Sequence, residues 1–101
     1  MHIQYDALAV EEICLRYKIT ELSFFGSVIR DDFTDQSDID ILVQFNPGEA
    51  PSISGFEDLR MELQHLLGRK VDLVTKRSIE KSKNPFRRKE ILGHFNVIYA
   101  A

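Results

Sequence analysis

Cysteine occurs once, at Cys14, which excludes an internal disulfide and suits a reducing compartment. No apolar run approaches the roughly 20 residues a helix needs to span a bilayer. The opening residues, MHIQYDALAV, lack the basic-then-apolar order of a signal peptide, so a cytoplasmic location is expected. His2, His65 and His94 have no ligand-like spacing with Cys14, which argues against zinc, and no Ser-His-Asp arrangement can be read. Charge of one sign is not in excess. A net charge of −3 gives no argument for a nucleic-acid or membrane partner, and direct nucleic-acid binding is not expected. At 101 residues and 44% hydrophobic content, a single domain over 1–101 is expected. Such a domain buries roughly two thirds of the surface its unfolded chain exposes. A second, substrate-binding domain is not expected.

What the chain does have is concentrated in one stretch, FFGSVIRDDFTDQSDIDILVQF, from Phe24 to Phe45. Gly26-Ser27 ends one apolar run, and Asp38-Ile39-Asp40 opens the next. In that second run Ile39, Ile41, Val43 and Phe45 alternate with Asp38, Asp40, Leu42 and Gln44, so a strand sends both carboxylates to one face. Two ionised carboxylates at about 4 Å repel by roughly 4 kcal/mol at an effective dielectric near 20. A hard divalent cation such as magnesium offsets that cost. Upstream, a glycine lets the backbone approach a triphosphate, and Ser27 offers a hydroxyl and an N–H at the start of a short helix, where anions bind.

Gly-Ser followed by Asp-x-Asp between two strand-like runs resembles the signature of the DNA polymerase beta-like nucleotidyltransferase superfamily. Phe24-Phe25-Gly26-Ser27, Arg30, Ser37-Asp38-Ile39-Asp40-Ile41-Leu42-Val43 and Val71-Asp72-Leu73-Val74 fall in the order of its smallest branch, the minimal nucleotidyltransferases, which include MntA-like antitoxins paired with HEPN-domain toxins. Where many relatives read Ala-Arg-Gly after the Gly-Ser turn, this chain has Ile29-Arg30-Asp31. The resemblance implies an α/β (α+β) nucleotidyltransferase fold, binding of ATP and magnesium, and transfer of AMP to a hydroxyl, expected to be a tyrosine of a cognate HEPN toxin. It also implies metal ligation and catalysis by Asp38, Asp40 and Asp72, with Gly26, Ser27 and Arg30 holding phosphate.

The rest of the chain alternates helix and strand. Tyr5, Ala9, Val10, Ile13, Cys14 and Tyr17 mark an amphipathic helix from about Asp6 to Lys18. Leu22 to Phe25 reads as the first strand, Val28 to Phe33 as a short helix, Thr34 to Ser37 as a turn, and Ile39 to Phe45 as the second strand, stopped by Asn46-Pro47-Gly48. Ser54 and Glu57 have the form of a capping box, and Phe56, Leu59, Leu63, Leu66 and Leu67 recur at helical spacing up to Gly68. Met61 and His65 read as its flanks. Val71 to Thr75 predicts a third strand whose parity lets Asp72 join the other carboxylates. Ser78 to Leu92 is weakly helical with a break at Asn84-Pro85, and His94 to Tyr99 closes a mixed sheet of about four strands.

Several assignments keep two readings. Asp72 is either a third ligand or a surface residue flanked by Arg69 and Lys70. Ser27 is a phosphate contact, a helix cap, or both. Arg30 either holds phosphate or only solubilises its helix. From Lys76 to Lys89 there are seven basic residues against one acidic, Glu80, whereas five acidic residues lie between Asp31 and Asp40. The basic segment is a solvated face or a dock for an acidic partner. Three rival functions remain: a masking antitoxin without turnover, the catalytic subunit of a small-molecule nucleotidyltransferase, and an RNA-binding module.

Overall fold

Asp6 accepts hydrogen bonds from the backbone N–H groups of Leu8 and Ala9 at 3.0 and 3.2 Å, and this cap starts helix α1 (Ala7–Arg16). The computed structural model describes residues 3–101, so His2 lies outside the described part. Lys18 takes a left-handed turn (φ 59°) that reverses the chain into β1 (Ile19–Phe25). The strand therefore begins three residues before Leu22, the expected start. Its polar opening is accommodated because Glu21 pairs with Lys76 at 3.1 Å and Thr20 Oγ1 donates to the Gln44 carbonyl.

After β1 comes a single 3-10 turn, Gly26–Ile29, in place of the expected helix over Val28–Phe33. Arg30 leaves it in extended backbone (φ −112°, ψ 171°), which stops helical propagation. Strand β2 (Ile39–Phe45) has the predicted bounds. Helix α2 (Ile53–Leu67) starts one residue earlier than its Ser54 signal because Ser52 is the cap, its Oγ accepting from Gly55 N at 3.2 Å. Glu57 does not close a capping box but pairs with Arg60 one turn on. Gly68 ends α2 in the left-handed conformation (φ 68°), as expected.

Strand β3 (Val71–Thr75) follows, and then two helices, α3 (Lys76–Glu80) and α4 (Pro85–Gly93), where one interrupted helix was expected. Asn84 caps α4 by accepting from Phe86 N and Arg87 N, and Pro85 occupies the first turn, where its missing N–H costs nothing. Strand β4 (Phe95–Ala100) completes a four-stranded mixed sheet in the order β3-β2-β1-β4. Strand β1 is antiparallel to both β2 and β4, and β2 is parallel to β3.

The two faces of the sheet bury different residues. Phe24, Ile39, Ile41, Val71 and Leu73 lie in one core with Val10 and Ile13 of α1 and Leu59 and Leu63 of α2. Phe25 and Leu42 lie in a second core with Ile79 of α3 and Ile91 of α4. Burial of a side chain of this size stabilises the fold by about 1.5–3 kcal/mol. Helices α1 and α2 are further clasped by Glu62, which accepts from Arg16 Nη2 at 2.7 Å and from the Tyr17 hydroxyl. Among the described residues no helix is long and apolar enough to cross a membrane.

Candidate active site

Asp40 and Asp72 are direct partners in the parallel β2/β3 ladder. Side chains of paired residues in neighbouring strands leave the sheet on the same face, so the ladder sets the two carboxylates side by side. That face is the one covered by α3 and α4, because Leu42 and its partner Val74, two residues further along, belong to the second core. The carboxylates thus stand at the open rim of a layer that is apolar one step deeper. Asp38 sits just before β2, two residues from Asp40, and is exposed. The ladder pairs Asp40 with Asp72, and Asp38 stands at the start of β2 without closing a three-carboxylate cluster among the described residues.

Their mutual influence is visible at Asp40. Burial raises its pKa first, the Asp72 charge second and the Asp38 charge third, taking it to about 6 from an ordinary 3.8. Arg30 and Arg87 oppose the shift without cancelling it.

Gly26 meets Asp40 from the neighbouring strand end. It has φ +72°, a conformation that favours glycine, and a Cβ on it would overlap Asp40 Oδ2. Ser27 follows within the 3-10 turn, its Oγ making no hydrogen bond among the described residues and capping nothing. The capping role left open for it is therefore not realised. Arg30 is committed: Nε and Nη2 donate to the two Asp32 oxygens at 3.1 and 3.4 Å. Its side chain nevertheless reaches a cavity of about 420 Å³, lined by Gly26, Arg30 and Asp40 on one side and by Glu90 and Ile91 of α4 and the following His94 on the other.

The loop that delivers Asp38 is held from β3's side. Arg69 Nη1 donates to the Thr34 carbonyl at 2.9 Å and to the Ser37 carbonyl at 3.0 Å, and its guanidinium lies over the Phe33 ring at 4.6 Å. A few residues on, Ile39 N donates to the Lys70 carbonyl. Sequence reasoning treated Arg69 only as a flank of Asp72 and missed this role, since nothing local links positions 35 residues apart.

The sequence pattern of the nucleotidyltransferase domain matches residues 8–98. The chain belongs to the nucleotidyltransferase domain family. It is similar to a Thermococcus cleftensis protein named protein adenylyltransferase MntA, 41% identical over 70 residues that make up 69% of each chain. A Methanocaldococcus jannaschii protein, provisionally named a protein adenylyltransferase, is 43% identical over 76 residues, 75% of this chain and 73% of that one. Among solved structures, one provisionally described as a minimal nucleotidyltransferase superimposes with a TM-score of 0.67 at 31% identity, covering 88% of this chain and 85% of the other. A toxin-antitoxin crystal structure with AMP-PNP gives a TM-score of 0.71 at 19% identity over 95% of this chain and 74% of that one, a likeness of fold alone.

In this nucleotidyltransferase domain the donor chemistry fits a hard cation. All three candidate ligands are carboxylates, and the most enclosed, Asp40, is discouraged from ionising by burial first and by its acidic neighbours Asp72 and Asp38 after it. The side chains do not by themselves close into a cluster of three ligating groups among the described residues. The basic segment is not one face. Lys76 is tied to Glu21, and Arg88 Nη1 donates to the Ser82 carbonyl at 2.7 Å, while Arg77 and Lys81 line a different cavity near Pro47 at the far end of β2.

Proposed function

We propose that this chain is a magnesium-dependent protein adenylyltransferase that moves AMP from ATP to a tyrosine hydroxyl of a cognate HEPN-domain toxin and so neutralises it. The observation that carries the reading is the pairing of Asp40 with Asp72, with Asp38 two residues away and the Gly26-Ser27 turn against Asp40. Relatives named protein adenylyltransferases and structural neighbours that are toxin-antitoxin complexes support it.

Asp38, Asp40 and Asp72 would hold magnesium, which when bound neutralises the triphosphate and makes the acceptor hydroxyl more acidic. Gly26 lets the Asp40 carboxylate pack against the turn, and the uncommitted Ser27 hydroxyl can donate to phosphate. The acceptor oxygen bonds to the α-phosphorus as the bond from that phosphorus to the bridging oxygen breaks. Pyrophosphate leaves with the bonding pair, and Asp72, the more exposed carboxylate of the ladder pair, accepts the hydroxyl proton. An acceptor on a separate protein would supply the missing wall over the open rim and exclude water.

Intact-mass spectrometry of the toxin after incubation with this protein, ATP and magnesium tests the reading. An adenylyl increment that maps to a tyrosine and is lost with Asp38→Ala/Asp40→Ala is expected. A stable complex with no added mass would instead make the protein a masking antitoxin.

A further inference from the structure

We propose that α4 forms the second wall of the triphosphate site and that Arg87, rather than Arg30, supplies the guanidinium that holds the departing pyrophosphate. The inference rests on the adenylyltransferase reading and assigns it a residue outside the Gly-Ser and Asp-x-Asp motifs.

Arg30 is poorly placed for a new anion. Both Asp32 oxygens already accept from its guanidinium, and the carboxylates of Glu90 and Asp40 also act on it. A cation facing three carboxylates has little net attraction left for phosphate. Arg87 is the reverse case. Its backbone N–H is fixed by the Asn84 cap, and its exposed side chain makes no ion pair or hydrogen bond among the described residues. Its basic neighbour Arg88 is spent on the Ser82 carbonyl.

The helix also points the right way. Arg87, Glu90 and Ile91 recur at three- and four-residue spacing, which puts them on one face of α4, and His94 follows directly after the helix. Ile91 anchors that face in the core beneath the sheet, and Glu90 and His94 line the cavity that contains Gly26 and Asp40. Arg87 lies one turn before Glu90 on the same face and lines not that cavity but an adjoining outer groove that shares Glu90 and His94 with it. Its charge is felt at Asp40. A triphosphate seated against Gly26 and the carboxylates therefore lies between the sheet rim and this face, where a free guanidinium can engage two phosphate oxygens at once.

Calorimetry on the protein alone, without any partner, tests the assignment with magnesium-ATP and magnesium-pyrophosphate as titrants. Arg87→Gln should weaken both by about tenfold or more, the scale of a lost charged hydrogen bond, with Arg87→Lys between it and wild type. Arg30→Gln and the exposed Lys83→Gln should change either affinity less than about threefold, and circular dichroism should show all variants folded. Unchanged affinity in Arg87→Gln, or an equal loss in Arg30→Gln, would overturn the assignment and leave the adenylyltransferase reading standing. Absence of magnesium-ATP binding by the wild-type chain would instead overturn that reading and this inference with it.

Discussion

Gly26 and Asp40 are packed so closely that a single added methyl group on Gly26 would occupy the space of Asp40 Oδ2. The contact couples the Gly26-Ser27 turn to the acidic pair, because the same glycine sits at φ +72° and ends the strand that pairs with β2. Two separate pressures thus hold the position as glycine.

Gly26→Ala should therefore act on both fold and site. The left-handed conformation costs an L-residue about 1–2 kcal/mol, and the methyl group drives the Asp40 carboxylate from its place. A lowered melting temperature together with lost magnesium-dependent ATP binding is expected from thermal melts and calorimetry. Retained ATP affinity would show that the Asp40 position is not needed for binding.

Asp40→Asn should separate stability from activity. The carboxyl has its pKa raised to about 6 by burial and by Asp72 and Asp38, so the folded state holds the proton more tightly than the unfolded chain does. Stability of the metal-free protein then declines as pH rises from about 4 through about 6, and the substitution removes that decline. A higher melting temperature than wild type at pH 7.5 without divalent ions, no gain at pH 4, and no adenylyl transfer are expected. A lower melting temperature at pH 7.5 would contradict the electrostatic account.

Ser27→Ala should leave stability alone. The hydroxyl caps no helix and has no partner among the described residues, so its removal strands nothing. Transition-state stabilisation should fall by about 1–3 kcal/mol, seen as reduced kcat/KM in an AMP-transfer assay. A drop in melting temperature with unchanged turnover would reverse the assignment.

Acid should loosen the clasp between α1 and α2. Hydrogen bonds from Arg16 first, and from the Tyr17 hydroxyl second, hold the Glu62 pKa below its ordinary 4.5. A depressed carboxylate contributes stability that is present above the ordinary value and lost as pH falls through the depressed one. Glu62→Gln should lower the denaturation midpoint at pH 7 and flatten the decline below pH 4.5 relative to wild type. Parallel profiles for the two proteins would rule out this source of acid sensitivity.

The chain's local pattern was enough for the period and parity of its elements. Alternation in Ile39–Phe45 fixed the face of Asp40, the Val71–Thr75 strand gave Asp72 the matching parity, and Gly68 marked the end of α2. These follow from residues a few positions apart, where backbone sterics and burial act directly. Cap choice was less legible: Ser52 rather than Ser54 begins α2, because both serines precede the same apolar stripe and only the backbone path selects between them. What tertiary structure alone decided is which strands are neighbours. Parallel pairing of β2 with β3 sets Asp40 beside Asp72, Arg69 reaches back to hold the loop before Asp38, Asp32 claims Arg30, and α4 closes over the carboxylate face. Each joins residues whose proximity depends on the whole chain burying both faces of one sheet, and no local periodicity encodes that choice.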